Sequence, residues 1–171
     1  MAEPVTSVED LFRARLRQML WVELKLADDV VPQLLEESYS TDLRYALERH
    51  LAETKEHANS VRLILHELQA HAEPEESPAL LGLLAEHEQL VKRIEPEGRL
   101  VSDLVHAGAA AATEHLEMAA YDLLASIAQA LGEESVAVSL RELLEQEEMA
   151  LEFVERAVAK LLAEKVESER L

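Results

Sequence analysis

From Leu43 to Leu68 the chain holds one spacing: Leu43, Leu47, His50, Thr54, His57, Val61, Ile64 and Leu68 fall alternately four and three residues apart. A period of 3.5 sustained that long draws a seam down one face of an α-helix; a strand, whose faces alternate every second residue, cannot hold it on one side. Such a seam must be covered by other helices, so the sequence asks for a helical bundle. Its middle turns are unusual, because two histidines and a threonine stand where Leu or Ala would pack.

The same periodicity, with its punctuation, predicts three more long helices and a short one. The first spans about 8–37, with Ser7 as its cap, Glu9 and Asp10 at its positive end, and a seam of Phe12, Leu16, Met19, Glu23, Leu26, Val30 and Leu34. Pro32 falls inside that pattern and predicts a kink. The second spans about 41–70, capped by Ser40 or Thr41, and a loop from His71 to Pro78 leads to a short helix over about 79–94. The third runs over about 97–131, stopped by Gly132, with a seam of Leu104, Ala107, Ala111, Glu114, Met118, Tyr121, Ala125 and Ala128. The fourth runs over about 133–165 through Val136, Leu140, Leu143, Glu147, Ala150, Val154, Ala157 and Leu161, and Lys165 to Leu171 reads as a fraying charged tail. Two antiparallel hairpins of long helices, joined by a crossover that holds the short helix, make an all-α, ferritin-like four-helix bundle, with residues 1–171 as one domain.

Charge narrows the function. Thirty-five acidic against sixteen basic residues give a formal charge of −19, which opposes nucleic acid and anionic membranes and concentrates cations. With no Cys, disulfides, thiolate metal sites and thiol catalysis are excluded. Residues 1–10 carry acids and no apolar run, so no signal peptide is expected there, and no stretch is apolar enough to span a membrane. A reducing, cytoplasmic setting is the expectation.

The helix seams contain carboxylates where Leu would pack better: Glu23, Glu114 and Glu147. Glu53 flanks the second seam one turn before His57, and Glu117 follows Glu114 by one turn. Unpaired buried carboxylates are costly, and a pair of divalent ions removes the cost. Glu23 and Glu53 are 30 residues apart, as are Glu117 and Glu147, a spacing that sets each pair at a similar height in its hairpin. Carboxylate oxygen with imidazole nitrogen in an all-helical frame is a ligand set for iron or manganese. Glu53 and His57 are four apart rather than the Glu-x-x-His spacing usual in such bundles, and positions 150 and 151 of the fourth helix are Ala and Leu, so the site is asymmetric and poor in nitrogen. Tyr121 and His115 are candidates for groups that support the ligands, whereas His50, like His115 in its plainer reading, is a satisfied histidine of the interior.

Certain segments resemble a known family. Glu114-His115-Leu116-Glu117-Met118-Ala119-Ala120-Tyr121 resembles the Glu-His-Tyr-Glu-Ile-Ala-x-Tyr stretch of the YciE/YciF-like proteins, small bacterial proteins of the ferritin-like superfamily linked with stress responses. Asp10-Leu11-Phe12, Glu23 with Leu26, His50-Leu51-Ala52-Glu53-Thr54 with His57, Gly82-Leu83 and Asp103 match in the same order, over roughly residues 7–160. The resemblance implies Glu23, Glu53, Glu117 and Glu147 as metal ligands, with His57 and Glu114 beside them. The chain departs from the family at Leu20 and Leu116, where the family has Tyr, at Ala52, where it has Glu, and at Asp122-Leu123, where it has Gly-Thr.

These readings converge on a protein binding two iron ions, with manganese or zinc as substitutes. Oxygen or peroxide would be the co-substrate of a ferroxidase-type or peroxide-consuming reaction. The alternative is a non-catalytic structural or interaction bundle with a degenerate site. A homodimer is expected through Trp21, Leu24 and Leu35, which lie off the main seam of the first helix.

Overall fold

The computed structural model describes residues 4–168, and among these it contains helices and no strand. Residues 169–171 of the expected tail lie outside the described residues.

Helix α1, Val8–Lys25, starts at Ser7, whose hydroxyl accepts the Asp10 N–H, with Glu9 and Asp10 against the positive helix end. It buries Phe12, Leu16, Met19, Leu20, Val22 and Glu23. A π-helical turn, Leu26–Val30, follows, in which the Val31 N–H reaches back five residues to the Leu26 carbonyl. Then comes α2, Val31–Glu37, with Pro32 in its first turn. Pro32 has no N–H to offer the carbonyl four residues back, and the wider turn before it absorbs that loss. The turn also advances the seam by one residue: Val31 is buried, and Val30, expected on the seam, is only half-buried.

Helix α3, Thr41–Glu67, is capped by the Ser40 hydroxyl. The connection before it is pinned from a distance, because the Asp103 carboxylate accepts the N–H groups of Tyr39 and Ser40 at 2.8 and 2.9 Å. The helix stops short of the expected residue 70, where Gln69 takes φ 51. Helix α4, Pro78–Val91, is capped by Ser77. Helix α5, Arg99–Leu131, ends at Gly132, whose φ of 81 suits a residue without a Cβ, and α6, Glu134–Ser168, follows at once.

The long helices pack in a ring, α1 against α3 and α5, and α6 against α3 and α5, with α4 laid on the outside of α5. The α5 face that enters the core is rich in small residues, Ala107, Ala110, Ala120, Ala125 and Ala128, which admit a close neighbour. That face is turned slightly from the expected seam. Leu104, Ala111 and Met118 are half-buried, and Asp103, His106 and Glu117 point inward instead. Trp21, Leu24 and Leu35 are partly buried against the core rather than free on an outer face. No described helix is long and apolar enough to cross a membrane. A fully buried Leu contributes about 1.5–3 kcal/mol to such a core; the buried acids described next bring no such gain.

Candidate metal centre

The core contains four glutamates with no exposed surface, Glu23 from α1, Glu114 and Glu117 from α5, and Glu147 from α6, each 0% exposed. Beside them, α3 supplies His50 and His57, also buried. Glu147 lies at the centre. One of its oxygens, Oε1, accepts a hydrogen bond from His57 Nδ1 at 2.8 Å, and the other, Oε2, lies 4.0 Å from His50 Nδ1. Glu23 Oε2 lies 3.8 Å from His57 Nδ1, and Glu114 Oε1 lies 3.4 Å from His50 Nδ1. Two triads result, Glu23–His57–Glu147 and His50–Glu114–Glu147, in each of which one potential ligand atom per residue lies within 4.8 Å of the others.

Hydrogen bonds fix both rings. His57 Nε2 faces the Gln146 side-chain oxygen at 2.8 Å, so both ring nitrogens donate and the ring is an imidazolium. Thr54 donates its hydroxyl proton to the His50 carbonyl at 2.7 Å, which leaves its oxygen to accept from His50 Nε2 at 3.3 Å. That puts the His50 proton on Nε2 and a bare lone pair on Nδ1, aimed at Glu114 and Glu147. Tyr121, fully buried, donates its hydroxyl to Glu23 Oε1 and leaves Oε2 free.

The electrostatics follow from burial. Removal from water, then the Glu147 charge, pushes Glu23 up to about 8, against the pull of His57 and Tyr121. Burial and the Glu147 charge likewise hold Glu114 and Glu117 well above the usual carboxylate range. Glu147 alone is held low: burial opposes ionisation, but the His57 bond and charge outweigh it. For His57, burial disfavours the charged ring, yet its bond to Glu147 and the charges of Glu23 and Glu147 push it up to about 9. Burial keeps His50 below its ordinary value. In the protein alone the cluster is thus a Glu147–His57 ion pair surrounded by protonated acids.

The donor set fits metal ions. Seven buried atoms of the cluster have no hydrogen-bond partner: Glu23 Oε2, His50 Nδ1, Glu147 Oε2 and both oxygens of Glu114 and of Glu117. Unsatisfied buried acceptors at this density are costly, and cations facing them would satisfy them together. Each histidine has its far nitrogen held by a polar neighbour, Thr54 for His50 and Gln146 for His57, the arrangement that orients imidazole ligands.

Of the residues singled out in the sequence, Glu23, His57, Glu114, Glu117, Glu147 and Tyr121 come together here. Glu53 does not reach the triads. It is half-buried at the rim, bonded to Arg49 at 2.8 Å, and its charge still bears on His50 and Glu114. His115 is exposed, because it follows Glu114 by one residue and a helix turns about 100° in that step. His50, Thr54 and Gln146 were not singled out as site residues. The signal for the first two was present, since both stand on the heptad seam with His57.

The protein alone thus defines a class: helical bundles with an acid-and-histidine cluster able to hold metal. Comparison with known proteins agrees on the fold. The family described as Domain of unknown function (DUF892) matches residues 7–167, and the chain belongs to it. The fold is similar to that of YcfI from Rhodopseudomonas palustris, with a TM-score of 0.84 and 25% identity over 91% of this chain and 97% of that one. The stress protein YciF of E. coli is similar too, with a TM-score of 0.85 and 24% identity over 93% and 99% of the two chains. A protein from Xanthomonas campestris gives a TM-score of 0.69 and 24% identity over 96% and 100%. No curated protein matches the chain in sequence.

Proposed function

We propose that this chain is a ferritin-like protein that binds two iron ions and oxidises iron(II), in a ferroxidase-type or peroxide-consuming role during stress. One observation carries the reading. Glu147 belongs to both triads and presents a different oxygen to each, Oε1 toward His57 and Oε2 toward His50. A shared carboxylate between two imidazole-and-carboxylate sets is what a bridged pair of ions requires, and the oxygen-rich, two-nitrogen composition suits iron or manganese better than zinc.

Glu23, Glu114, Glu147, His50 and His57 would hold the ions, with Glu117 beside them. The chemistry such a pair supplies when bound is two one-electron oxidations of iron(II), enough to reduce one hydrogen peroxide to two waters with uptake of two protons. The chain's own groups prepare the site. As a ligand His57 would release its Nδ1 proton to solvent and would keep Nε2–H on Gln146. Thr54 holds His50 in the tautomer whose Nδ1 is free, and Tyr121 occupies one oxygen of Glu23. Glu117, with both oxygens unpartnered, is available as a further ligand once it gives up its proton. A cytoplasmic homodimer is the setting this reading expects.

The second reading, a structural bundle with a degenerate site, is favoured by the His57 bonds to Glu147 and Gln146, which satisfy part of the cluster without metal. Anaerobic iron(II) titration of chelator-stripped protein, followed by oxygen and then peroxide, separates the two. Saturation near two irons per chain with rapid oxidation, lost in Glu23→Ala and Glu147→Ala, is the expected result. Binding no stronger than to an unrelated acidic protein would leave the structural bundle.

A further inference from the structure

Some two turns before Glu114 on α5, and about 12 Å away along the helix at about 1.5 Å per residue, a second pair of histidines meets outside the carboxylate cluster. His87 of α4 and His106 of α5 approach with Nε2 and Nδ1 3.0 Å apart and ring planes tilted by 52°. His106 is buried and its other nitrogen is engaged, with Nε2 3.0 Å from Ser102 Oγ and 3.8 Å from Glu37 Oε2. A proton on Nε2 is the state these two acceptors favour, and it leaves the Nδ1 lone pair turned toward His87. Burial, and for His87 the neighbouring His106, hold both rings below the ordinary histidine value, so both are neutral at pH 7.

We infer that His87 Nε2 and His106 Nδ1 form a chelating site for a divalent transition-metal ion, separate from the carboxylate cluster and completed by water. The 3.0 Å separation matters. With metal–nitrogen bonds of about 2.1 Å it corresponds to an angle of about 90° at the ion. That angle suits neighbouring positions of a square or octahedral sphere, as nickel(II) and copper(II) prefer, better than the wider angle of tetrahedral zinc. Ser102 and Glu37, by holding the far nitrogen of His106, do for this ring what Thr54 does for His50.

Access agrees. His87 is half-buried and borders two clefts of 380 Å³ each, one walled by the ion pairs Lys25–Asp29 and Lys92–Glu88 and the other by Glu86. Glu37 is partly exposed and accepts from Gln33 at 2.9 Å through Oε1, while its Oε2 stays on the Nε2 side of His106. Helix α4 has only Leu80 buried among its fourteen residues, so an ion bridging His87 to His106 would also clamp α4 to the bundle.

Nickel(II) is the probe. Native mass spectrometry and calorimetric titration of the full chain should count one nickel more in the unaltered protein than in His87→Gln, a change at a half-exposed position that the fold tolerates. Ser102→Ala should keep the site and weaken it about tenfold, and Glu147→Gln should leave it intact while emptying the interior. In a parallel measurement, substoichiometric nickel should broaden the ring-proton resonances of His87 and His106. Equal nickel counts in the unaltered chain and His87→Gln, or broadening confined to His50 and His57, would overturn the site and leave the pair a simple hydrogen bond.

Discussion

Glu147 is the residue on which both halves of the cluster depend, and substitutions there and at Glu23 should differ in kind. Glu147→Gln breaks the carboxylate that both triads share and is expected to abolish binding at both positions, whereas Glu23→Gln touches one triad and should leave about one ion per chain. Metal analysis after dialysis against iron(II) decides it; equal losses in the two variants would contradict the shared role. Glu117 makes the opposite point, because its two oxygens are buried without partners. Replacing such a group with an apolar one removes a desolvation cost, so Glu117→Leu should stabilise the metal-free protein by about 1–3 kcal/mol and weaken iron binding. Urea unfolding in chelator measures the first effect, and a destabilised variant would show that Glu117 is better satisfied than its surroundings indicate. At this scale much of the site was legible. A glutamate on a heptad seam has few explanations, and Glu23, Glu114 and Glu147 were found by that alone. Glu53 stands outside the two triads because spacing along a helix says which face a residue shares, not which neighbour wins it: Arg49, one turn earlier, takes its carboxylate. His50 was passed over because a buried histidine is usually satisfied, and here its free Nδ1 depends on the Thr54 hydroxyl, which no spacing reveals.

Among the elements, the π-helical turn is the feature the sequence hinted at and did not specify. Pro32 marked a disturbance, but the disturbance takes the form of one extra residue in the turn before it, which keeps Glu23 and Leu34 both facing inward. Deleting the exposed Asp28 should therefore convert the turn to ordinary α-helix with the seam intact, at a cost within about 1 kcal/mol. Deleting the exposed Glu56 from α3 should be far worse, because one residue removed from a regular helix rotates everything beyond it by about 100°. Thermal melts of the two deletions, side by side, test the contrast; similar losses would mean that the wide turn is not a spare residue. The lengths of the long helices were readable because Ser7, Ser40 and Gly132 punctuate them. The inward turn of Asp103 was not, since its role is fixed by a connection 63 residues earlier in the chain. Asp103→Ala should cost about 1–2 kcal/mol by leaving the Tyr39 and Ser40 N–H groups without their acceptor.

For the molecule as a whole, the cluster sets how stability varies with pH. Without metal, Glu23 at about 8 and His57 at about 9 retain protons that the unfolded chain, with ordinary values of 4.5 and 6.5, has released. The folded state binds more protons, through Glu23 from about 4.5 to 8 and through His57 from about 6.5 to 9, so stability falls as pH rises across both spans, together above about 6.5. Glu147, held low by His57, acts in the other direction and withdraws its contribution as pH falls below its ordinary 4.5. His50, held below its ordinary 6.5, favours folding as pH rises toward that value and is neutral beyond it. Melting in chelator should therefore decline from about pH 6.5 toward 9, while the gain from added iron(II), which displaces those protons, should grow over the same range. A flat metal-free profile between pH 6.5 and 9 would contradict the assignment of His57 as an imidazolium. The tight connection at Gly132 also has a consequence for the order of assembly. Helices α5 and α6 are neighbours in sequence and pack extensively on each other, so their hairpin closes with little loss of chain entropy and is expected to form early. That hairpin carries Glu114, Glu117 and Glu147, three of the four interior glutamates, whereas both histidines of the cluster arrive on α3. The nascent hairpin is thus an acidic half-site waiting for its bases, and the docking of α3 both completes the core and neutralises it.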